Sequence, residues 1–306
     1  MMRRAWTVLA TFVLVAAACS APPKLRGELM LAIDSDMTPG VDFDRLAIDL
    51  KVNGQTVHTE VYSELGLPGL RQFPLTYAVL GNGNPSEHVQ VRVSTGRSSE
   101  GSATNVGAPK TLNEVLTTIP ADRIALLRIH VEWLCVGSGR VQGDYVEGNC
   151  PEGTSCVAGA CVPWDADASR LETFDEAKVF GGGSSKGEGS CFDTTGCFAQ
   201  SHEAQVDRAT CTIAPETGGG NGVNVALVAR SGQPGICGAG GCLVPLAAES
   251  AGGWRTLPGG RIGLPTTVCA GILDTRARGV RVTTACAPKT DGLPTCGPWS
   301  VVAGQR

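Results

Sequence analysis

Thirteen cysteines hold most of the chemistry open to this 306-residue chain. Their spacing decides among a metal site, a redox site and covalent staples. The stretch "CPEGTSCVAGACV" places Cys150, Cys156 and Cys161 within twelve residues. Zinc asks for thiolates or imidazoles that converge, usually from C-x2-C or H-x3-H spacings. The tightest spacing here is C-x4-C, at Cys156–Cys161 and Cys237–Cys242, and His58, His88, His130 and His202 are scattered. Without C-x-x-C a thioredoxin-like centre is also excluded. The cysteines therefore read as disulfides.

Three further patterns invite chemistry. Gly183-Ser184-Ser185-Lys186-Gly187 matches G-x-S-x-G, but a nucleophile elbow needs a buried strand before it and a helix after it. "KVFGG" and "GEGSCF" supply neither, so a glycine-rich loop is expected, and the order of a phosphate-binding loop is missing too. Asp34, Asp36, Asp42 and Asp44 in "DSDMTPGVDFD" could share calcium as hard oxygen ligands. Asp165 and Asp167 repeat the spacing. No EF-hand pattern completes either group, and solvated acidic loops are the ordinary explanation. Trp254 and Trp299 could stack on a sugar ring if exposed, whereas tryptophan is on average highly buried. No catalytic set and no cofactor are implied.

The elements that would position these residues are mostly strands. "RLAIDLKVNGQTVHTEVY" puts Leu46, Ile48, Leu50 and Val52 on one face and Asp49 and Lys51 on the other. Asn53-Gly54 then signals a two-residue hairpin, because both turn positions need positive φ. "GELMLAI", "PLTYAVL", "EHVQVRVS" and "RIALLRIHVEW" are further strands. Residues 25–134 thus predict an antiparallel β-sandwich of immunoglobulin-like type, without the immunoglobulin Cys–Trp–Cys spacing. Residues 135–162 carry Cys135, Cys150, Cys156 and Cys161. Three pairings are open among them, and two local bridges would make a stiff hinge module. Its pattern resembles disulfide modules of extracellular proteins such as EGF-like knots. Residues 163–306 hold Cys191, Cys197, Cys211, Cys237, Cys242, Cys269, Cys286 and Cys296. They predict a disulfide-rich β domain, jelly-roll or sandwich-like. Its one short helix is expected over Pro265–Arg278, with Pro265 in the first turn and Gly279 as the stop.

The chain opens "MMRRAWTVLATFVLVAAACS". Arg3 and Arg4 precede an apolar run, Ala5 to Ala18, that is too short to span a bilayer and suits the h-region of a signal peptide. Small residues Ala16, Ala17 and Ala18 lead directly into Cys19. This resembles the lipobox of bacterial lipoproteins, although Ala16 stands where the family more often has Leu. The resemblance implies a signal peptide over 1–18, lipid on Cys19, and a tethered linker over 19–24. Cleavage after Ala-Ala-Ala to give a free secreted protein is the alternative. Ser20, with no Asp after the cysteine, implies the outer membrane by the sorting habit of that family. With Cys19 lipidated, twelve cysteines remain, an even number that can all pair outside the cytoplasm. The whole arrangement resembles cysteine-rich bacterial surface lipoproteins of unknown function.

Removing the leader leaves 23 basic against 29 acidic residues and no basic stripe, which excludes nucleic acid as a partner. Only 18% of residues are charged, 5% are aromatic and 41 are glycine, as suits a loop-rich β protein. The expected function is a non-enzymatic, lipid-anchored envelope protein that contacts the membrane through Cys19 and takes a protein or glycan ligand. A secreted hydrolase and a structural envelope component are the alternatives. The hydrolase requires acids, or a Ser/His pair, to converge in a cleft.

Overall fold

A computed structural model describes residues 27–66, 72–97, 110–142, 145–182, 190–216, 222–238, 241–301 and 303–304. The leader, Cys19 and the Gly183–Gly187 motif lie outside them. The protein is mainly β, with several antiparallel sheets and six disulfides.

The first half stacks two sheets. Its strands are β1 (Glu28–Ser35), β2 (Arg45–Val52), β3 (Gln55–Tyr62), β4 (Leu75–Leu80), β5 (His88–Gly96), β6 (Thr111–Thr118) and β7 (Ile124–Val131). One sheet runs β3-β2-β5-β6 and is wholly antiparallel. In the other, β4 and β7 flank β1. Leu29, Leu31 and Ile33 alternate inward on β1 and meet Leu46, Ile48, Val91 and Val93 of the facing sheet in one apolar core. Period-2 alternation is what places them on that face. Asn53 (φ 52°) and Gly54 (φ 78°) form the β2–β3 turn with both residues in the left-handed region, as the dipeptide requires. "TLNEVLTT", which becomes β6, alternates too weakly to announce itself in the sequence.

One pairing departs from the antiparallel pattern. β1 and β7 run parallel, in register from Glu28↔Ile124 to Ser35↔Val131. Both strands therefore start at the end where the described chain begins, and both finish at the other end, about 25 Å away for eight residues.

Residues 135–163 form two hairpins, β8 (Gly139–Gln142) with β9 (Tyr145–Gly148) and β10 (Thr154–Val157) with β11 (Ala160–Pro163). Their bridges interleave, Cys135–Cys156 and Cys150–Cys161. This stapled piece lies along the outer edge of β6. Leu112 and Glu114 donate their backbone N–H groups to Ser138 Oγ (2.9 Å) and Ser155 Oγ (2.8 Å), and Leu116 donates to the Trp164 carbonyl (3.0 Å). An edge strand left with a row of free donors is a template for aggregation. Here the outward donors of Leu112, Glu114 and Leu116 have partners.

The second half continues with β12 (Glu172–Thr173), which extends the first half's sheet beside β7. Next come β13 (Ser190–Cys191), β14 (His202–Ala204), β15 (Val206–Asp207), β16 (Thr212–Ile213), β17 (Asn224–Ala229), β18 (Ile236–Gly238), β19 (Gly241–Leu246), β20 (Arg255–Thr256), β21 (Ile262–Gly263), β22 (Ala277–Thr283) and β23 (Ala303–Gly304). Its main sheet has the order β14-β22-β17-β19-β18 and is antiparallel. Every residue of β17 is buried, since both of its faces are covered. The expected helix is shorter than its sequence signals suggest. It spans 266–275, with a π-type stretch at Val268–Ile272. Gly279 is no helix stop but a residue of β22, paired with Val228, because the sheet takes the chain from Ala277 onward. The four bridges are nested one inside the next: Cys191–Cys296, Cys197–Cys286, Cys211–Cys269 and Cys237–Cys242.

The halves share one hydrophobic cluster, which runs from the sandwich through Trp133 and Leu134 to Val268, Ile272 and Ala277. Arg276 fixes this join. Its guanidinium lies 4.9 Å from the Trp133 ring and donates to the carbonyls of Trp133 (2.9 Å), Leu134 (2.7 Å) and Val136 (3.1 Å).

Candidate functional site

The parallel β1/β7 pair builds the site. On the face of the sheet away from the sandwich core, β1 carries Ala32 and Asp34, with Asp36 just beyond. β7 carries Arg128 and His130, with Glu132 just beyond. Asp34 stands opposite His130 in the ladder, and the two-residue period brings Asp36 and Glu132 to the same end. An antiparallel pairing would have sent one set to each end of the sheet.

His130 Nδ1 is 2.7 Å from Asp34 Oδ1, and His130 Nε2 is 3.8 Å from Asp36 Oδ2. Asp36 is anchored by the Trp133 backbone N–H, which donates to its Oδ1 at 2.6 Å. Burial by itself would lower the His130 pKa, but the two carboxylates outweigh it and hold the ring well above 6.5 as an imidazolium. Burial would raise Asp34, and the charge and hydrogen bond of His130, with Lys289 and Arg128 behind, hold it below its ordinary value. Glu132 goes the other way. Burial, with the nearby Asp36 and Asp34 charges adding, lifts its carboxyl from 4.5 to about 7, against the attraction of His130 and the N–H of Ala158.

Glu132 sits where three parts of the chain meet. Ala158, at the β10–β11 turn, donates to it, and the Ala158 carbonyl accepts from Thr267 Oγ1 of the second half. Gly252 passes so close that a Cβ there would lie 3.1 Å from Glu132 Oε1. A side chain there would press on the Glu132 carboxylate. Glu132 and Gly252, with Asp34, Asp36 and His130, line a cleft of about 250 Å³ between the halves. Lys289, 3% exposed, enters it from the second half. Among the described residues its ammonium has no hydrogen bond or ion pair; Asp34 attracts it through space.

Both ring nitrogens of His130 face carboxylates, so its job is that of a fixed positive charge. A ring held as imidazolium at neutral pH is no general base. No serine hydroxyl hydrogen-bonds its Nε2 among the described residues, which removes a Ser–His arrangement. The group whose proton exchanges near neutrality is Glu132.

The four aspartates proposed for calcium do not share a site. Asp34 and Asp36 belong to the cleft. Asp42 Oδ2 accepts from the N–H of Thr38 (2.7 Å) and of Gly235 (3.1 Å), stitching its loop to the second half. Asp44 lies where its backbone joins Gly96 and Leu65. Among the described residues no group of three His, Cys, Asp or Glu is arranged to hold a metal ion. Asp167 caps the turn at 168–170 through Ser169. Trp254 and Trp299 do not form an exposed stacking platform: each is 5% exposed and packed into the shared core. All twelve cysteines from 135 to 296 are paired, so none is a metal thiolate.

In the sequence, His130 and Glu132 lie in the expected strand "RIALLRIHVEW", and nothing in that strand alone marks them for chemistry. The missed signal is that "AIDSD" and "RIHVEW" both end a strand with polar residues two apart. The chain matches no protein-family model, no curated protein and no solved structure. Among the described residues no helix is long and apolar enough to cross a membrane. The six disulfides are compatible with a place outside the cytoplasm.

Proposed function

We propose that this is an exported, lipid-anchored cell-envelope protein of the bacterial outer membrane that binds a ligand in the cleft between its halves. One observation carries the reading: Asp34, Asp36, His130, Glu132 and Lys289, from strands and loops far apart in sequence, converge on one cleft. A protein that only filled space would gain by replacing such a buried charge cluster with apolar side chains. The Ala-Ala-Ala-Cys19 sequence and the even count of remaining cysteines support export and lipidation. Residue 27 enters at the end of β1 remote from the cleft.

Two measurements test this. Mass spectrometry of the native protein is expected to show a lipid adduct on Cys19 and no free thiol. Hydrogen exchange of the lipid-free protein, with and without a small-molecule envelope extract, is expected to slow at residues 129–134 and 246–254 while β3 stays unchanged. Exchange that no extract alters would sink the binding role.

The hydrolase reading draws on one specific observation, a carboxyl at Glu132 with a pKa near 7 in a cleft that also holds Asp36. A raised carboxyl is the form a general acid takes at neutral pH. Turnover of an ester, peptide or glycoside panel that disappears in E132Q would establish it. No turnover leaves the binding reading.

A further inference from the structure

We infer that the ligand is a small zwitterion, either a free amino acid or the end of a short peptide, with its carboxylate on Lys289 and its cationic donor on the Asp34–Asp36 side. This rests on the cleft being a binding site and names what it binds.

Lys289 is the leading observation. Most of the side chain is buried, and its ammonium opens on the cleft with no protein hydrogen bond among the described residues, whereas a buried lysine ordinarily pairs. Nothing about its backbone is loose. Its N–H donates to Asn224 Oδ1 (2.8 Å) and its carbonyl accepts from Ala248 (2.7 Å), so the side chain starts from a fixed point. A donor prepositioned in this way and left unpaired is what an incoming anion needs. Arg128 adds to the same side. It lies two residues before His130 on the same face of β7, lines the cleft, and has one donor engaged by the Lys178 carbonyl (3.0 Å).

The opposite charge lines the same cleft, with Asp36 buried, Asp34 half-buried and Asp291 exposed. Asp34, Asp36 and Asp291 all line the cleft, with Glu132 beside them. This mixture selects among ligand classes. Lys289, Arg128 and the His130 imidazolium already balance the three aspartates, so a phosphate dianion would leave the site with excess negative charge. A neutral sugar, or an amine with no acid group, would leave Lys289 unpaired. A molecule with one carboxylate and one ammonium satisfies both sides and leaves the net charge of the site unchanged. At about 250 Å³ the cleft falls below the roughly 300–1,000 Å³ of pockets for drug-sized molecules, so the bound portion is small.

Calorimetric titration of the mature, lipid-free protein tests the assignment. The probes are the free amino acids, tri-alanine, their N-acetyl and amide derivatives, and inorganic phosphate. Saturable binding of a zwitterion is expected, at least tenfold weaker when either end is blocked. Binding to free amino acids but not to tri-alanine identifies the first source, and the reverse identifies a peptide end. Lys289→Met is expected to abolish binding with little change in its thermal midpoint, because the ammonium makes no protein hydrogen bond that the substitution would break. R128M, at an exposed position, is expected to weaken binding without unfolding. Equal affinity for the acid and its amide, or undiminished binding in K289M, overturns the zwitterion. Phosphate binding that needs Lys289 also overturns it but leaves the cleft a binding site. Failure of every probe, with K289M destabilised, overturns both and makes Lys289 a structural charge.

Discussion

The two halves of this protein reach a folded state by different means. In the first half, seven strands of six to nine residues cover an inner face of Leu, Ile and Val, and no cysteine is present. In the second, most strands are two or three residues long, and four nested bridges hold them. Long strands bury enough apolar surface to offset the entropy of ordering them. Strands of two residues do not, and covalent closure makes up the difference by shrinking the unfolded ensemble. The contrast shows strand length and disulfides acting as alternatives within one chain.

Reduction should separate the halves most strongly. On the chain-entropy account the stabilisation grows with the loop closed. The Cys191–Cys296 bridge spans 105 residues and Cys237–Cys242 spans 5. Replacing both cysteines of the outer pair with serine is expected to cost about 4–5 kcal/mol, and of the inner pair about 2 kcal/mol. Denaturant melts of the two variants check the order. Under graded reductant, hydrogen exchange should rise in β17 and β22 before β2 and β5. Simultaneous loss would show that the shared core, rather than the bridges, limits both halves.

Packing should show the reverse dependence. Ile48 is fully buried in the sandwich, whereas Val57 on the edge strand β3 is 60% exposed. Ile48→Ala is expected to cost about 3 kcal/mol, within the usual range for a buried aliphatic chain, and Val57→Ala well under 1 kcal/mol. A small effect at Ile48 would mean that the bridged half carries the stability of the whole.

Glu132 joins the halves, so its titration probes the seam. Its folded pKa of about 7 exceeds the ordinary 4.5, so the folded state holds the proton more tightly. Stability therefore falls as pH rises from 4.5 to about 7 and levels off above. E132Q is expected to be neutral below pH 4.5 and stabilising by up to about 3 kcal/mol at pH 8. His130 works in the other sense. Its raised pKa gives stability that is complete below 6.5 and is lost as pH rises through the higher folded value. Melts of wild type and E132Q from pH 4 to 9 separate the two. A constant difference across that range would contradict the seam carboxyl.

Local signals made much of this fold legible. Alternation announced β2 and β5, Asn53-Gly54 announced a turn, and the grouping of cysteines into 135–161 and 191–296 matches bridges that never cross between groups. The site was only half legible. Asp34 and Asp36 drew notice as oxygen ligands, but their partner is His130, 96 residues from Asp34. Only the parallel β1/β7 pairing joins them, and pairing between strands so distant in sequence leaves no mark on either one. Lys289 is hidden for the same reason. Its place in the cleft depends on contacts between segments distant in sequence, which no local pattern records. The serines that cover the β6 edge, Ser138 and Ser155, look like loop residues until the strand they serve is placed.

The smallest expected effect compares the halves most directly. Gly54 in the sandwich and Gly232 in the second half have φ of 78° and 79°, and a Cβ at either would meet open space. Alanine at each therefore carries the same conformational penalty, about 1 kcal/mol, with no steric contribution. Equal intrinsic cost turns the pair into a gauge of which half unfolds first. If the protein melts as one cooperative unit through its continuous core, G54A and G232A shift the midpoint equally. If the bridged half holds after the sandwich has opened, G54A lowers the first transition and G232A only the second. Under reductant the order inverts, because the half that then opens first is the one whose strands are too short to stand without their bridges.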